Sequence, residues 1–196
     1  LCKYIVEVKK LETWELNIIL GNNLKHSLLF IIILFILPSL SMASQPRAFS
    51  FENKVEAVFP EKPEYLGEFT AKKLKQKGYS YSDVNTFLVY SLVLLSDKQT
   101  FPENEIENQI GKLIEEYRQD VNGKILSNEI KVNENEKTGQ FIIKSKHQKY
   151  TIYSYSKVIY DNGYIYYWSV QEIEGLSTVS GKKIFDDYAN LFRLIK

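Results

Sequence analysis

Residues 150–173 read YTIYSYSKVIYDNGYIYYWSVQEI. Two runs rich in Tyr, Ile and Val flank Asp161-Asn162-Gly163. Asn-Gly is the dipeptide that most readily supplies the two left-handed residues of a tight hairpin. The stretch therefore predicts two antiparallel strands over 150–160 and 164–173. Because side chains alternate along a strand, Tyr164, Tyr166 and Trp168 share one face of the second strand and Tyr167 takes the other.

Working upstream, the pattern predicts strands over 124–132 and 139–145, with turns at 133–138 and 146–149. Ahead of them, Ile106, Ile110, Leu113, Ile114, Tyr117 and Val121 form one apolar stripe at helical spacing, which predicts a helix over 103–121. Pro102 and Glu103 suit its first turn, and Asn122-Gly123 suits its end. Residues 83–96 are apolar on both parities, with Leu88, Tyr90, Leu92 and Leu94 against Phe87, Val89, Val93 and Leu95. Such a strand is covered on both faces and lies inside a sheet. Further upstream, 49–59 alternates as one strand that Pro60 and Pro63 stop, and 65–70 is a short strand. The lysine-rich 72–78 reads as an exposed turn. At the other end, Ile184, Tyr188, Leu191, Phe192 and Ile195 predict a closing helix over 180–194. The fold class is α+β, a mainly antiparallel sheet sandwiched between two helices.

The N-terminal part reads as an address. Lys25 precedes ten uninterrupted apolar residues, Leu28 to Leu37, then Pro38 and the small residues Ser41 and Ala43. This is the layout of a secretory signal peptide over 24–43, and the apolar run is shorter than the ~20 residues of a membrane span. Residues 1–23 are a mis-called extension, with translation starting near Leu24, or else a longer leader; the chain starts at Leu1 and its only Met is Met42. Cleavage after Ala43 would leave 44–196 as a single domain, without a stable membrane span, in the periplasm or outside the cell. It would remove Lys3, Lys9, Lys10 and Lys25 with Glu7, Glu12 and Glu15, leaving acids and bases equal in number, and it would remove Cys2, the only cysteine.

The resulting domain resembles the PsbP-like family, which includes the extrinsic photosystem II protein, a eukaryotic Ran-binding protein and exported bacterial domains of unknown role. Two stretches carry the resemblance. One is Phe59-Pro60-Glu61-Lys62-Pro63 after the first strand. The other is the aromatic end Tyr188-Ala189-Asn190-Leu191-Phe192-Arg193-Leu194, where Leu191 stands in place of the usual Ser. The resemblance implies the fold, covers roughly residues 49–194, and transfers no functional residue.

The composition excludes several chemistries. The whole chain of 196 residues carries a formal charge of +1, with 25 bases and 24 acids, which argues against a basic nucleic-acid binder. One cysteine and two histidines, His26 and His147, exclude a disulfide framework, a thiolate zinc site and any site needing several imidazoles. His147 sits among Lys144, Lys146 and Lys149 in a turn, a poor setting for a nucleophilic triad. Glu115-Glu116, Asp186-Asp187 and Glu103/Glu105/Glu107 fall on helices as solvated faces. Glu134 and Glu136 with Asn133 and Asn135 lack calcium-loop spacing. Phosphate-loop, dinucleotide and zinc-protease motifs are absent, and no cofactor or metal is implied. The basic 72–77 stretch reads as solvated lysines, with contact to phosphate or an anionic membrane surface as the alternative.

What stands out is aromatic density: Tyr150, Tyr153, Tyr155, Tyr160, Tyr164, Tyr166, Tyr167 and Trp168 lie close together. They are either a packed sheet face or an exposed strip, Tyr164, Tyr166 and Trp168, that stacks on a partner or ligand. The expectation is an exported, non-enzymatic domain that binds a partner protein in the cell envelope or outside the cell. The alternative is a sugar or aromatic ligand held between sheet and helix. Intact-mass analysis of the protein expressed with its own N-terminus should find a mature chain starting at Ser44; an uncleaved chain would overturn the export reading.

Overall fold

The computed structural model describes residues 46–71, 74–96 and 100–195. The expected signal peptide, residues 1–23, Lys72 and Lys73 lie outside the described residues. The chain opens with a hairpin, β1 Arg47–Phe51 and β2 Val55–Phe59. The expected single strand over 49–59 is thus two. Glu52 and Asn53 both take φ +53° and Lys54 N–H donates to Phe51 O at 3.0 Å, reversing the chain. Parity survives the turn, because Phe49 faces Ala57 and Phe51 faces Val55 across the ladder.

Next come β3 Glu64–Ala71, β4 Leu74–Asp83 and β5 Leu88–Ser96. Strand β4 corrects the expected exposed turn over 72–78. Its polar residues pair with β3 on one side and β5 on the other. It also takes Asp83, so β5 starts at Leu88, after a turn in which Asp83 Oδ1 accepts from the backbone N–H of Asn85 and Thr86. Helix α1 spans Glu103–Asp120 and buries Ile106, Ile110, Ile114 and Tyr117. It ends where Asn122, at φ +47°, lets Asn122 N–H reach Gln119 O and Gly123 N–H reach Arg118 O, the closure that satisfies orphan carbonyls. Strands β6 Lys124–Val132, β7 Lys137–His147, β8 Tyr150–Asp161 and β9 Tyr164–Ile173 follow. The β8–β9 turn has φ +46° at Asn162 and +81° at Gly163, as its sequence predicts.

Helix α2, Gly181–Tyr188, is shorter than the expected 180–194. Ser180 caps it by accepting from Lys183 N–H. A single 3-10 turn, Ala189–Leu191, and a two-residue strand, β10 Arg193–Leu194, complete the chain. The helical stripe breaks because Phe192 leaves the helix to become fully buried, while Leu191 and Ile195 stay exposed. Backbone groups released there are taken by β2, which pairs with β10.

Seven strands form one antiparallel sheet in the order β3-β4-β5-β9-β8-β7-β6, and β1-β2-β10 form a second. Antiparallel partners share a face, so Leu92, Trp168 and Lys157 line up across β5, β9 and β8. On that face Trp168 packs on Phe185 of α2 and on Phe192, with ring centroids 5.7 and 6.0 Å away. Phe59 of the small sheet meets Tyr90 at 6.4 Å. On the opposite face, Tyr117 of α1 meets Tyr167 at 5.6 Å and Phe141 at 6.1 Å. The α+β, mainly antiparallel expectation holds. Its two-helix sandwich is corrected in one respect: the small sheet, together with α2, covers the second face.

Trp168 is fully buried and its Nε1–H donates to Val58 O at 3.1 Å. Trp168→Ala should cost about 3–5 kcal/mol, because transfer and cavity terms add. Urea unfolding should show that loss, with a fall in melting temperature on the order of 10 °C.

Candidate functional site

The aromatic strip lies where alternation puts it, on one face of β9, but it is covered. Trp168 is 0% and Tyr166 2% exposed, so these two rings cannot stack on a partner, and the exposed-strip expectation is corrected at both. The reason is that parity fixes a face without fixing what packs on it. Desolvation pushes the Tyr166 phenol up to about 12. Tyr164 alone stays half-exposed, with Lys54 Nζ 3.5 Å from its ring centre. It borders a hollow of about 300 Å³ shared with Lys75, Lys77 and Gln76.

The other polar candidates are tied up or dispersed. Glu115 accepts from Arg118 and Gln119, and these hydrogen bonds hold its carboxyl down at about 2. Asp186 and Asp187 pair with Lys182 and Lys183 one turn earlier on α2. Glu103, Glu105 and Glu107 are exposed. Asn133 Oδ1 accepts from the N–H groups of Asn135 and Glu136, so the β6–β7 loop is a polar turn. On β4, Lys77 bonds Glu52 and Glu68, which raises its pKa above the ordinary lysine value. His147 is half-buried at the end of β7, opposite Tyr150. Among the described residues, no three His, Cys, Asp or Glu side chains cluster closely enough to hold a metal ion.

A further concave feature was not singled out by sequence. A cleft of about 790 Å³ opens between the β6–β7 turn, the adjoining ends of β7 and β8, and the C-terminal segment. Its walls include Thr138, Ile159 and Phe192, and its charged rim carries Glu134, Glu136 and Asp161. Lys157 lines it and is only 8% exposed. Alternation along β8 places Lys157 between Tyr155 and Ile159 on the small-sheet face, opposite Trp168. Its Nζ donates to Ala189 O at 3.0 Å and Phe192 O at 3.3 Å. Ala189 is the C-cap of α2 and Phe192 that of the 3-10 turn, and a cation is favoured at such ends. Burial lowers the amine's pKa below the ordinary 10.5, against a smaller opposing effect of Glu136. The signal in the sequence was a lysine on an otherwise apolar parity of a strand.

Among solved structures, the chain is similar to cyanobacterial PsbP (CyanoP) from Synechocystis sp. PCC 6803. The TM-score is 0.51 over 80% of this chain and 95% of that one, at 12% identity. The fold is PsbP-like. At this identity the likeness is one of architecture alone. No family model matches the chain, and no curated protein sequence does. The PsbP-like domain therefore supplies a scaffold, and its site must be argued from its own side chains.

Lys157 makes stability depend on pH in a defined direction. Below its folded-state pKa both states hold the proton, and the buried ammonium carries its full desolvation cost. Between that pKa and 10.5 the unfolded chain binds more protons than the folded one, so this group's contribution to stability rises with pH. Urea unfolding at stepped pH should therefore show wild type gaining on Lys157→Met as pH climbs toward 10.5. Parallel profiles would mean that the amine titrates as a free lysine.

Proposed function

We propose that the protein is an exported, non-catalytic binding domain that holds a small ligand in the cleft beside Lys157. The carrying observation is the cleft itself. At about 790 Å³ it falls within the roughly 300–1,000 Å³ of small-molecule sites. Ile159, Tyr160, Phe192, Leu194 and Ile195 line it beside charged residues of both signs, so it is more polar than most such sites and suits a charged ligand. Its position between the large sheet and the C-terminal segment resembles the expected pocket between sheet and helix, with the helix replaced by the 3-10 turn and β10.

The non-catalytic part is supported by where the reactive groups stand. His147 lies at the far end of β7 from Thr138, nine residues and about 30 Å along the strand. Glu115, Asp186 and Asp187 on the helices are engaged with arginine or lysine. Export is supported by the signal-like N-terminal stretch. No helix among the described residues is long and apolar enough to cross a membrane.

A second reading, contact with a partner protein in the cell envelope, is favoured by one patch. Val84, Leu176 and Val179 are exposed at 65%, 39% and 37%. They lie on two loops laced together by Thr178 N–H to Thr86 O and Ser177 Oγ to Phe87 O. Phe87 in that patch holds φ +54°, a conformation a bulky residue rarely takes.

Thermal-shift screening of the full chain against a small-molecule library separates the readings. A cleft ligand should raise the melting temperature with concentration over Kd and should shift the NMR signals of Lys157 and Ile159. A cross-linked, near-stoichiometric protein whose capture is lost on Val84→Asp with Leu176→Asp, in the absence of any cleft ligand, would overturn the ligand reading in favour of the second.

A further inference from the structure

The cleft carries opposite charge at its floor and at its rim, and this deepens the binding reading on which it rests. At the floor, Lys157 is buried with neutral acceptors only. Both its bonded partners are backbone carbonyls, and it makes no ion pair among the described residues. An ammonium has three N–H groups, so one remains for something else. A buried charge without a counterion is costly, and a carboxylate is the group whose arrival would offset that cost most directly.

The rim would repel a simple anion. Glu134, Glu136 and Asp161 face the cleft with Lys137, while Glu56 is already held by Arg193 at 2.9 Å. Glu136 accepts from the Thr138 hydroxyl at 2.8 Å and Asp161 from the Asn162 amide at 2.9 Å. These donors are neutral, so neither carboxylate is ion-paired by them, and both have oxygen lone pairs to spare. A simple cation would satisfy this rim and then meet Lys157 below, with Lys131 adding to the positive field there. Neither sign of charge alone fits both levels.

We propose that the cleft binds a small zwitterion, with its carboxylate on Lys157 Nζ and its ammonium against Glu136 and Asp161. The spacing between floor and rim selects the length of the molecule. Once the ligand is seated with its carboxylate inward and its ammonium at the rim, its dipole opposes that of the site, and both ends meet opposite charge. A buried, charge-assisted contact at the floor contributes more than the rim contacts, which water and salt screen.

The test uses the full chain, isotope-labelled, with the ω-aminocarboxylates glycine, γ-aminobutyrate and 6-aminohexanoate as probes. Hexanoate and hexylamine serve as single-charge halves. One member of the series should raise the melting temperature and shift the Lys157 side-chain resonance at millimolar concentration. Each half should bind at least about tenfold more weakly. Lys157→Met should abolish the effect. Because that variant removes a buried tether, Glu136→Gln with Asp161→Asn gives an independent arm: it leaves the core intact and should weaken zwitterion binding about tenfold. Equal binding of hexanoate or of hexylamine would overturn the proposal in favour of an anion or a cation site. If no zwitterion moves Lys157 while another library compound does, the zwitterion proposal fails and the cleft stands as a ligand site. If no compound of any class perturbs the cleft, both fail.

Discussion

The indole of Trp168 joins the two sheets. It lies at the middle of β9, the central strand of the large sheet, and its only polar atom finds the carbonyl of Val58 in the small sheet. Burying a ring of this kind removes roughly 150–250 Å² from water, worth about 4–6 kcal/mol. The hydrogen bond adds direction: it fixes which residue of β2 faces the large sheet. Phe185 and Phe192 then pack on the remaining ring surface. The position of α2, the departure of the chain from helix at Phe192 and the placement of β10 all follow from that contact.

The two faces of the large sheet solve different packing problems. Beneath the small sheet the contacts are aromatic and aliphatic, and the one charged intruder, Lys157, is held there by two backbone carbonyls. Beneath α1 the sheet presents small and hydroxyl-bearing residues. Ser156 bonds the Tyr167 hydroxyl at 3.0 Å and Ser154 accepts from Tyr117 at 3.1 Å. Gly139 is required there: a Cβ would sit 2.7 Å from Ile110 Cγ2, so the helix could not approach β7 as closely.

Much of this was legible in the chain. The hairpin at 150–173 could be read because its turn chemistry and its alternation agree, and α1 could be read because its stripe and its ends agree. Strand β4 could not, because its lysines sit on a strand whose hydrogen bonds, not its apolar content, hold it in place. The break between β1 and β2 was hidden because Glu52 and Asn53 take left-handed conformations without a glycine to announce them. The last turn of the expected closing helix was misread because Phe192 satisfies a helical stripe and a β-edge equally well. The strip Tyr164, Tyr166 and Trp168 was assigned to the right face, but exposure depends on partners far away in sequence. For the same reason the cleft was invisible: its floor and walls come from β7, β8 and the C-terminal segment, and only the fold brings them together.

The contact between Trp168 and Val58 spans 110 positions, and that between Arg193 and Glu56 spans 137. The first hairpin is therefore made early and completed last. It has neither the ring that anchors it nor the strand that closes it until Trp168 and Arg193–Leu194 are in place. Loop-closure entropy of this size must be met before any of the reward arrives. The first hairpin thus precedes by more than a hundred residues the ring that anchors it and the strand that closes it.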